Sequence, residues 1–356
     1  MTVFHSLKIK DVVRETKDAV SISFEVPETL KDAYRFTQGQ HLTLKEFLDG
    51  EELRRSYSIC SAVGDPELRV AVKRLDGGKF SSHANQNLKP GAMIEVMEPQ
   101  GRFFTPLDAA NRKHYLAVAA GSGITPIISI IKTVLKTEPH SKVTLLYGNR
   151  KVSGILFLEA LEDLKNSFPD RFTMMHILSR EHQDAEILNG RIDAAKCKEL
   201  SAGAIDFTRF DEAFLCGPEQ MIMDVRDFLV DTGLDKDHIH FELFITDAAI
   251  AASEKPVKVE EAGPKRHVKV ILGGRKTDVE VAEDGVSILD RALQQGLDLP
   301  YACKGGVCST CRAKVLQGEV EMDINYALED DEVAEGYVLT CQSHPLTDNV
   351  IVDFDV

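Results

Sequence analysis

The sequence lacks the features by which membrane and secreted proteins are most easily identified. No run of about eighteen apolar residues occurs in the 356-residue chain, so no segment is long enough to cross a bilayer as a helix. Residues 1–20 also lack the basic and then apolar order of a secretory signal. Both absences predict a cytoplasmic protein that does not enter a membrane.

An excess of basic residues is also missing. The formal net charge is −15, which repels nucleic-acid phosphates and argues against a nucleic-acid partner. The acidity is concentrated near the end, where residues 265–356 hold 17 Asp and Glu against 9 Lys and Arg. With 43% hydrophobic and 28% charged residues the composition is that of a globular protein, and the length predicts two or three domains.

Cysteine is present in an odd number, seven, which argues against a disulfide framework. Cys303, Cys308 and Cys311 form C-x4-C-x2-C, and Cys341 follows after twenty-nine further residues. This is the ligand spacing of a plant-type [2Fe–2S] cluster. A structural zinc, the alternative, more often uses two C-x2-C pairs or a mixture of Cys and His. We therefore predict that these four thiolates ligate a [2Fe–2S] cluster.

Three segments with different patterning follow one another. Short alternating runs such as 20–26 fill the first hundred residues and predict an antiparallel β-barrel. From about residue 113, nearly continuous apolar runs such as 115–120 alternate with helical stretches, which predicts an α/β unit with a parallel sheet. Residues 246–264 are rich in Ala, Glu, Lys and Pro and predict an exposed linker, after which a hairpin and a short helix precede the cysteines.

Two short segments of the first part have the residue types that hold an anionic cofactor. Arg55, Tyr57 and Ser58 end a strand with R-x-Y-S, and these side chains suit a pyrophosphate, a flavin ring and the ring edge. Gly78 and Ser81 stand at a helix start, where free N–H groups and the helix dipole favour an anion. Taken alone, each segment is more often a surface strand or a turn.

Glycine-rich turns follow two of the apolar runs in the middle part. Gly121, Gly123 and Thr125 belong to G-S-G-I-T-P, which opens a helix and lets the backbone approach a dinucleotide at the carboxyl end of a strand. It is not the G-x-G-x-x-G of the Rossmann fingerprint. Cys216 and Gly217 repeat the arrangement after another strand.

A third strand end in the middle part carries an arginine beside a hydroxyl. Ser179 and Arg180 come directly after the apolar run that ends at Leu178. This pair fits the 2′-phosphate of NADPH through charge-assisted hydrogen bonds, and it fits a solvated turn equally well.

Together and in this order, the motifs resemble the ferredoxin–NADP⁺ reductase family with an appended plant-type ferredoxin. In that family R-x-Y-S and G-x-x-S bind FAD, G-x-G-x-x-P and C-G-P border the nicotinamide, and S-R-E receives the 2′-phosphate. The resemblance implies that FAD is bound by Arg55, Tyr57, Ser58, Gly78 and Ser81. It assigns to the NADPH nicotinamide nucleotide Gly121, Gly123, Thr125, Cys216 and Gly217, and to the 2′-phosphate Ser179 and Arg180.

With this resemblance we predict a multidomain chain. Residues 1–108 would form an antiparallel β-barrel FAD domain and residues 109–247 an α/β parallel-sheet nucleotide-binding domain. A linker at 248–264 would lead to an α+β ferredoxin domain of the β-grasp type at 265–356. The resembling reductases end on an aromatic residue that covers the flavin, whereas this chain continues past Phe244, which we leave outside the predicted site.

Longer stretches, among them YRFTQGQHLTL, GEELRRSYSIC and DLPYACKGGVC, look like the family of phenylacetyl-CoA 1,2-epoxidase reductase subunits. This likeness implies electron transfer from NADPH through FAD and the [2Fe–2S] cluster to the di-iron oxygenase subunits of a multicomponent epoxidase. The carriers perform the chemistry, so no catalytic residue is predicted, and Cys216 and Ser58 would lie near the flavin and nicotinamide. The alternatives are a reductase for a ring-hydroxylating or steroid hydroxylase, and a redox sensor or electron carrier without turnover.

Overall fold

The computed structural model of the chain describes residues 3–244, 265–282 and 285–356. The predicted linker at 248–264 lies outside these residues. The described residues form an N-terminal unit (3–104), a central unit (114–244) and a C-terminal unit (265–282 and 285–356), each built on its own sheet. Within these ranges no helix is both long and apolar enough to span a bilayer.

The N-terminal unit is the predicted antiparallel barrel. Its elements are β1 (Phe4–Thr16), β2 (Ala19–Glu25), β3 (His41–Leu48), β4 (Glu51–Ser58), β5 (Leu68–Lys73), α1 (Lys79–Gln86) and β6 (Met93–Met97). The six strands pair in the order β4-β3-β6-β1-β2-β5. A backbone bridge between Ile59 and Val70 joins the two edges, and alternate apolar side chains fill the interior. The end of β4 therefore lies at the rim of the barrel.

The central unit is the predicted parallel sheet with helices. Its elements are β7 (His114–Ala120), α2 (Ile124–Thr137), β8 (Lys142–Asn149), α3 (Leu158–Ser167), β9 (Phe172–Leu178), α4 (Ala194–Ser201), β10 (Glu212–Gly217), α5 (Glu219–Asp231) and β11 (Ile239–Leu243). The strand order is β11-β10-β7-β8-β9. The order reverses between β7 and β10, and the helices that follow these two strands, α2 and α5, pack into different core clusters on the two faces of the sheet. The carboxyl edge at this reversal is where open parallel sheets bind ligands.

Helix α2 fixes the central unit against the barrel. Eleven of its fourteen residues are buried, which is expected of a helix with an apolar surface all round. Ser129 Oγ donates to the carbonyl of Ser61 at 2.7 Å, and the amide of Val63 donates to Thr133 Oγ1 at 3.2 Å. These bonds satisfy the polar atoms of the helix and set how close the turn after β7 comes to β4.

The C-terminal unit is a mixed sheet with one helix packed on it, which is the predicted β-grasp arrangement. Its elements are β12 (Lys265–Leu272), β13 (Arg275–Ala282), α6 (Ile288–Gln294), β14 (Arg312–Gln317), β15 (Val320–Met322), α7 (Asp330–Ala334), β16 (Tyr337–Leu339), β17 (Ser343–Pro345) and β18 (Val350–Asp353). The strand order is β13-β12-β18-β14-β16, with β12 and β18 parallel, and β15 pairs with β17. The sheet and α6 share one apolar core.

Candidate functional site

A cavity of about 1010 Å³, counted with its open mouth, lies where the three units meet. The N-terminal unit supplies residues of β3, β4, β5 and α1, the central unit supplies the turn after β7 and the end of β11, and the C-terminal unit supplies the cysteine loop, residues 301–311. The predicted site residues in its wall are Arg55, Tyr57, Ser58, Ser81, Thr125, Cys303 and Cys308. Motifs far apart in sequence therefore meet in this central cavity.

The barrel side of the cavity offers a ring platform and hydroxyls. The Tyr57 ring packs on the fully buried Phe80 ring of α1, with 5.7 Å between their centroids. Ser81 stands one turn into the same helix, accepts from the amide of Leu75 at 3.2 Å and donates to the carbonyl of Gly78 at 3.4 Å. Gly78 is the N-cap of α1 and lies behind Ser81, outside the cavity wall. Guanidinium, ring and hydroxyl groups together fit a phosphorylated aromatic cofactor.

The two glycine turns of the central unit interlock. A Cβ atom on Gly123 would lie 2.1 Å from the carbonyl oxygen of Cys216, and one on Gly217 would lie 3.1 Å from Cβ of Ala120. Only glycine allows these turns to approach so closely. Thr125 Oγ1 donates to the carbonyl of Ser122 at 2.9 Å and holds the first turn, whose Gly121 has φ +56°. The spacing of the glycines is thus required by packing at the carboxyl edge.

Ser179 and Arg180 lie at the end of β9, away from the central cavity, and both are exposed. The amide of Ser179 donates to the carbonyl of Asn149 at 2.9 Å, and the amide of Arg180 donates to that of Arg150 at 2.9 Å. These bonds bring a second exposed arginine, at the end of β8, beside Arg180. Two cations at adjacent strand ends are suited to a phosphate group. Arg150 was not predicted from the sequence, although it follows the strand run 143–147 by only three residues.

All seven cysteines are free and buried. In the cysteine loop the thiol of Cys308 hydrogen-bonds to Cys303 and lowers the pKa of Cys303, whereas the thiol of Cys341 raises the pKa of Cys311. The four thiols therefore form two adjacent pairs. Among the described residues, no three His, Cys, Asp or Glu side chains converge on one point as a single-ion site would require. Two pairs of thiols instead fit two irons that each take two thiolates.

The backbone of the cysteine loop turns toward the sulfurs. The amide of Gly305 donates to Cys303 Sγ at 3.3 Å. Lys304, Gly306 and Ser309 have positive φ angles of 52°, 76° and 50°, and a Cβ atom on Gly306 would lie 2.9 Å from the carbonyl oxygen of Ile324. This turned backbone supplies N–H donors to thiolates, which is how proteins tune such clusters.

Two further cavity residues were not predicted from the sequence. His41 is buried, its Nε2 has no hydrogen-bond partner among the described residues, and burial lowers its pKa to about 4, so the ring is neutral at pH 7. Lys73 ends β5, with its Nζ 4.0 Å from where a Cβ atom on Gly121 would stand. An unpartnered ring nitrogen and a cation fit a polar, phosphorylated ligand. Neither residue belongs to a recognisable motif.

A carboxyl group also lies in the cavity wall. Glu242 of β11 accepts a hydrogen bond from Ser58 Oγ at 3.2 Å, which joins the central unit to the barrel. Burial raises the pKa of Glu242 to about 8, against the lowering effect of the Ser58 bond, and the nearby Cys308 adds to the rise. Phe244, which was left outside the predicted site, lines the cavity as well. The sequence feature that could have pointed to both residues is the segment HFELF, residues 240–244, at the last strand of the parallel sheet.

Known protein families match all three units. Residues 6–104 match the oxidoreductase FAD-binding domain, residues 117–227 the oxidoreductase NAD-binding domain and residues 270–346 the 2Fe-2S iron-sulfur cluster binding domain. The cavity thus lies between units that match carriers of a flavin, a nicotinamide nucleotide and an iron–sulfur cluster. The guanidinium, ring, hydroxyl and thiol groups in its wall fit these carriers.

Curated relatives match along the whole chain. It is 50% identical over 355 residues to a subunit of the 1,2-phenylacetyl-CoA epoxidase of Escherichia coli (strain K12), covering 100% of this chain and 99% of that protein. It is 35% identical over 353 residues to the 3-ketosteroid-9-alpha-monooxygenase, ferredoxin reductase component, of Rhodococcus rhodochrous, covering 98% and 96%.

Solved structures share the fold. Phthalate dioxygenase reductase, described as a modular structure for electron transfer from pyridine nucleotides to [2Fe-2S], matches with a TM-score of 0.56 at 22% identity over 99% of this chain and 98% of that one. An intact type IV self-sufficient cytochrome P450 monooxygenase matches with a TM-score of 0.68 at 21% identity, over 98% of this chain and 41% of that longer one. The chain therefore belongs to the family of oxidoreductases that carry electrons from NAD(P)H through FAD to a [2Fe–2S] cluster within one polypeptide.

Proposed function

We propose that this chain is the reductase component of a phenylacetyl-CoA epoxidase and delivers electrons from NADPH to the di-iron oxygenase subunits of that enzyme. The observation that carries the proposal is the 50% identity to the Escherichia coli protein over the full length of both chains. The 35% identity to a steroid monooxygenase component favours a second candidate, a reductase for another oxygenase. The seven free cysteines support a cytoplasmic location.

In this proposal Arg55, Tyr57, Ser58, Gly78 and Ser81 hold FAD, with His41 and Lys73 as further contacts from the same wall. When bound, FAD accepts a hydride from NAD(P)H, which leaves as NAD(P)⁺, and its two electrons pass singly to the cluster and on to the acceptor. The thiolates of Cys303, Cys308, Cys311 and Cys341 hold the two irons.

The turns at Gly121, Gly123, Thr125, Cys216 and Gly217 admit the nicotinamide nucleotide. Burial raises the pKa of Cys216 well above its usual range, so this residue stays a neutral thiol beside the nicotinamide and does not act as a nucleophile. Ser58 and Glu242 close the cavity wall next to it through their hydrogen bond of 3.2 Å. The protein thus orients the carriers and excludes water, with no covalent step of its own.

The choice of NADPH rests on Ser179 and Arg180, with Arg150 beside them. A charge-assisted hydrogen bond is worth roughly 1.5–3 kcal/mol, so Arg180→Ala should lower kcat/KM for NADPH by about 10- to 150-fold. The same variant should leave kcat/KM for NADH nearly unchanged, because NADH has no 2′-phosphate. Arg226→Ala, on the surface of α5, is the matched control. Equal losses with both nucleotides would contradict this assignment.

The oxygenase partner is tested by reconstitution. The chain is combined with the oxygenase subunits purified from cells grown on phenylacetate, and loss of phenylacetyl-CoA is followed with NADPH and oxygen. Turnover with the native chain, and none with Cys341→Ser, would support the proposal. Rapid NADPH-dependent reduction of ferricyanide with no loss of phenylacetyl-CoA would refute it and favour the oxygenase of the steroid system.

A further inference from the structure

Two arginines of the N-terminal unit are linked to opposite ends of the cysteine loop, one directly and one through a carboxylate. The first, Arg54, precedes Arg55 in β4 and is only 7% exposed. Its Nη2 donates to Asp298 Oδ1 at 3.3 Å, and its guanidinium lies 4.4 Å from the centroid of the Tyr301 ring. Both partners belong to the segment that leads into Cys303. Arg54 therefore contacts the entrance of the cysteine loop by charge and by ring stacking.

The side chain of Arg54 is itself held in place by the barrel. Its Nε donates to Glu52 Oε1 at 2.8 Å, and its guanidinium lies 5.1 Å from the Phe4 ring centroid. A planar guanidinium is suited to this combination of carboxylates and ring faces, whereas an ammonium is not. The contact with the C-terminal unit is thus made by a fixed donor on a rigid strand.

The second arginine, Arg102, is linked to the other end of the loop through Glu332. It forms an ion pair with Glu332 of α7, whose side chain is 10% exposed. The same carboxylate oxygen accepts from Arg312 Nη1 at 3.1 Å, and Arg312 directly follows Cys311. Arg312 also lies 3.9 Å from the Tyr337 ring centroid. Glu332 therefore connects the exit of the cysteine loop to the N-terminal unit.

We propose that Arg54 and Arg102 are positioning residues for electron transfer from FAD to the [2Fe–2S] cluster. They hold the cysteine loop at both ends, so that Cys303 and Cys308 stay in the wall of the flavin cavity. Because electron transfer slows steeply as two carriers separate, loosening either contact slows this step. Hydride transfer to FAD uses other walls of the cavity, so its rate does not depend on these contacts. The inference depends on flavin-to-cluster transfer and holds whichever oxygenase receives the electrons.

The test follows both steps in one experiment. FAD-loaded and cluster-loaded full-length protein is mixed with NADPH without oxygen, and flavin and cluster bleaching are recorded at separate wavelengths. Arg54→Ala and Arg102→Ala should each slow cluster reduction roughly tenfold, since each loses contacts that hold the C-terminal unit against the N-terminal unit. The rate of flavin reduction should stay within twofold. Arg54→Lys, which keeps the charge without the stacking, should lie between wild type and Arg54→Ala.

Two further variants separate positioning from damage to the fold. Asp298→Asn weakens the Arg54–Asp298 pair from the side of the C-terminal unit. Combined with Arg54→Ala it should slow cluster reduction little further, because both substitutions act on the same interaction. Arg35→Ala, which breaks only a surface pair with Asp32, is the control and should change neither rate. Wild-type cluster reduction in the Arg54→Ala/Arg102→Ala double variant would overturn the proposal. So would equal slowing of flavin and cluster reduction in Asp298→Asn, because Asp298 is not part of the cavity wall.

Discussion

Replacing Gly123 with alanine should slow hydride delivery to the flavin while leaving FAD and the cluster bound. The added Cβ atom would lie 2.1 Å from the carbonyl oxygen of Cys216 and 2.5 Å from its carbonyl carbon, about an ångström inside the ordinary contact distance of 3.4 Å. Both are backbone atoms, so no side-chain rotation relieves the overlap. The turn after β7 must move away from the end of β10 by about an ångström. A displacement of that size between reacting groups costs roughly 100-fold in rate.

The assay is anaerobic flavin bleaching by NADPH in a stopped-flow instrument, with FAD and iron content measured on the same sample. Two other glycines make the series quantitative. Gly217→Ala should have a smaller effect, because its closest contact, 2.6 Å to Cε of Met221, is the end of a flexible side chain. Gly203→Ala is the matched control, since a Cβ atom there meets nothing within 4 Å.

The order of the three rates is therefore fixed in advance, with Gly123→Ala slowest and Gly203→Ala equal to wild type. A folded Gly123→Ala protein with full FAD content and the wild-type bleaching rate would refute the reasoning. The same conclusion would follow if Gly203→Ala were slowed as much as Gly123→Ala. Direct reduction by dithionite should be normal in all three variants, because it does not use the nucleotide turn.

Three other predictions concern the cluster and the response to pH. Cys341→Ser removes one of four ligands and should abolish cluster absorbance and iron content, while FAD stays bound and ferricyanide reduction by NADPH continues. Burial would raise the pKa of Glu212, but hydrogen bonds from His240 and Lys113 outweigh it and lower the pKa to about 2. Glu212→Gln should therefore cost about 3 kcal/mol of unfolding free energy at pH 7, and urea titrations should show this difference fading between about pH 4.5 and 2. Because burial lowers the pKa of His41 to about 4, the unfolded chain binds that proton first, and stability falls from pH 6.5 to 4. In His41→Gln the urea midpoint of unfolding should change less between pH 6.5 and 4 than in the wild type. An unchanged dependence of the midpoint on pH would contradict this account.

Most of the fold follows from local patterns in the sequence. The run 115–120 is apolar throughout because β7 is covered on both faces. The alternation at 20–26 places Val20, Ile22 and Phe24 in the barrel core, whereas Ser21 and Ser23 lie on the other face of β2, which is also buried. The thiol spacing is equally local, because three of the four ligands lie in one loop. Such signals need no knowledge of how the units pack together.

The rest of the candidate site depends on packing between units. His41, Lys73 and Glu242 look like ordinary strand residues, and they line one cavity only because three units, each with its own sheet, meet there. The contact from Ser58 to Glu242 joins residues 184 positions apart, which no periodicity encodes. Arg54 and Arg55 are neighbours in β4, and only the packing of the units shows that Arg54 faces the C-terminal unit while Arg55 lines the cavity. The residue roles and domain boundaries themselves stay predictions until they are tested by substitution.

The cysteine loop is also a wall, and this has a consequence for oxygen. Val307 packs against the apolar core of the central unit as well as against the cysteines, and with Cys303 and Cys308 it covers one side of the flavin cavity. A chain cut before the C-terminal unit would leave that side open, and a reduced flavin exposed there would be oxidised by dioxygen to give peroxide. We therefore expect the C-terminal unit to limit futile NAD(P)H consumption as well as to carry the cluster. Peroxide formed per NADPH should rise when the C-terminal unit is removed.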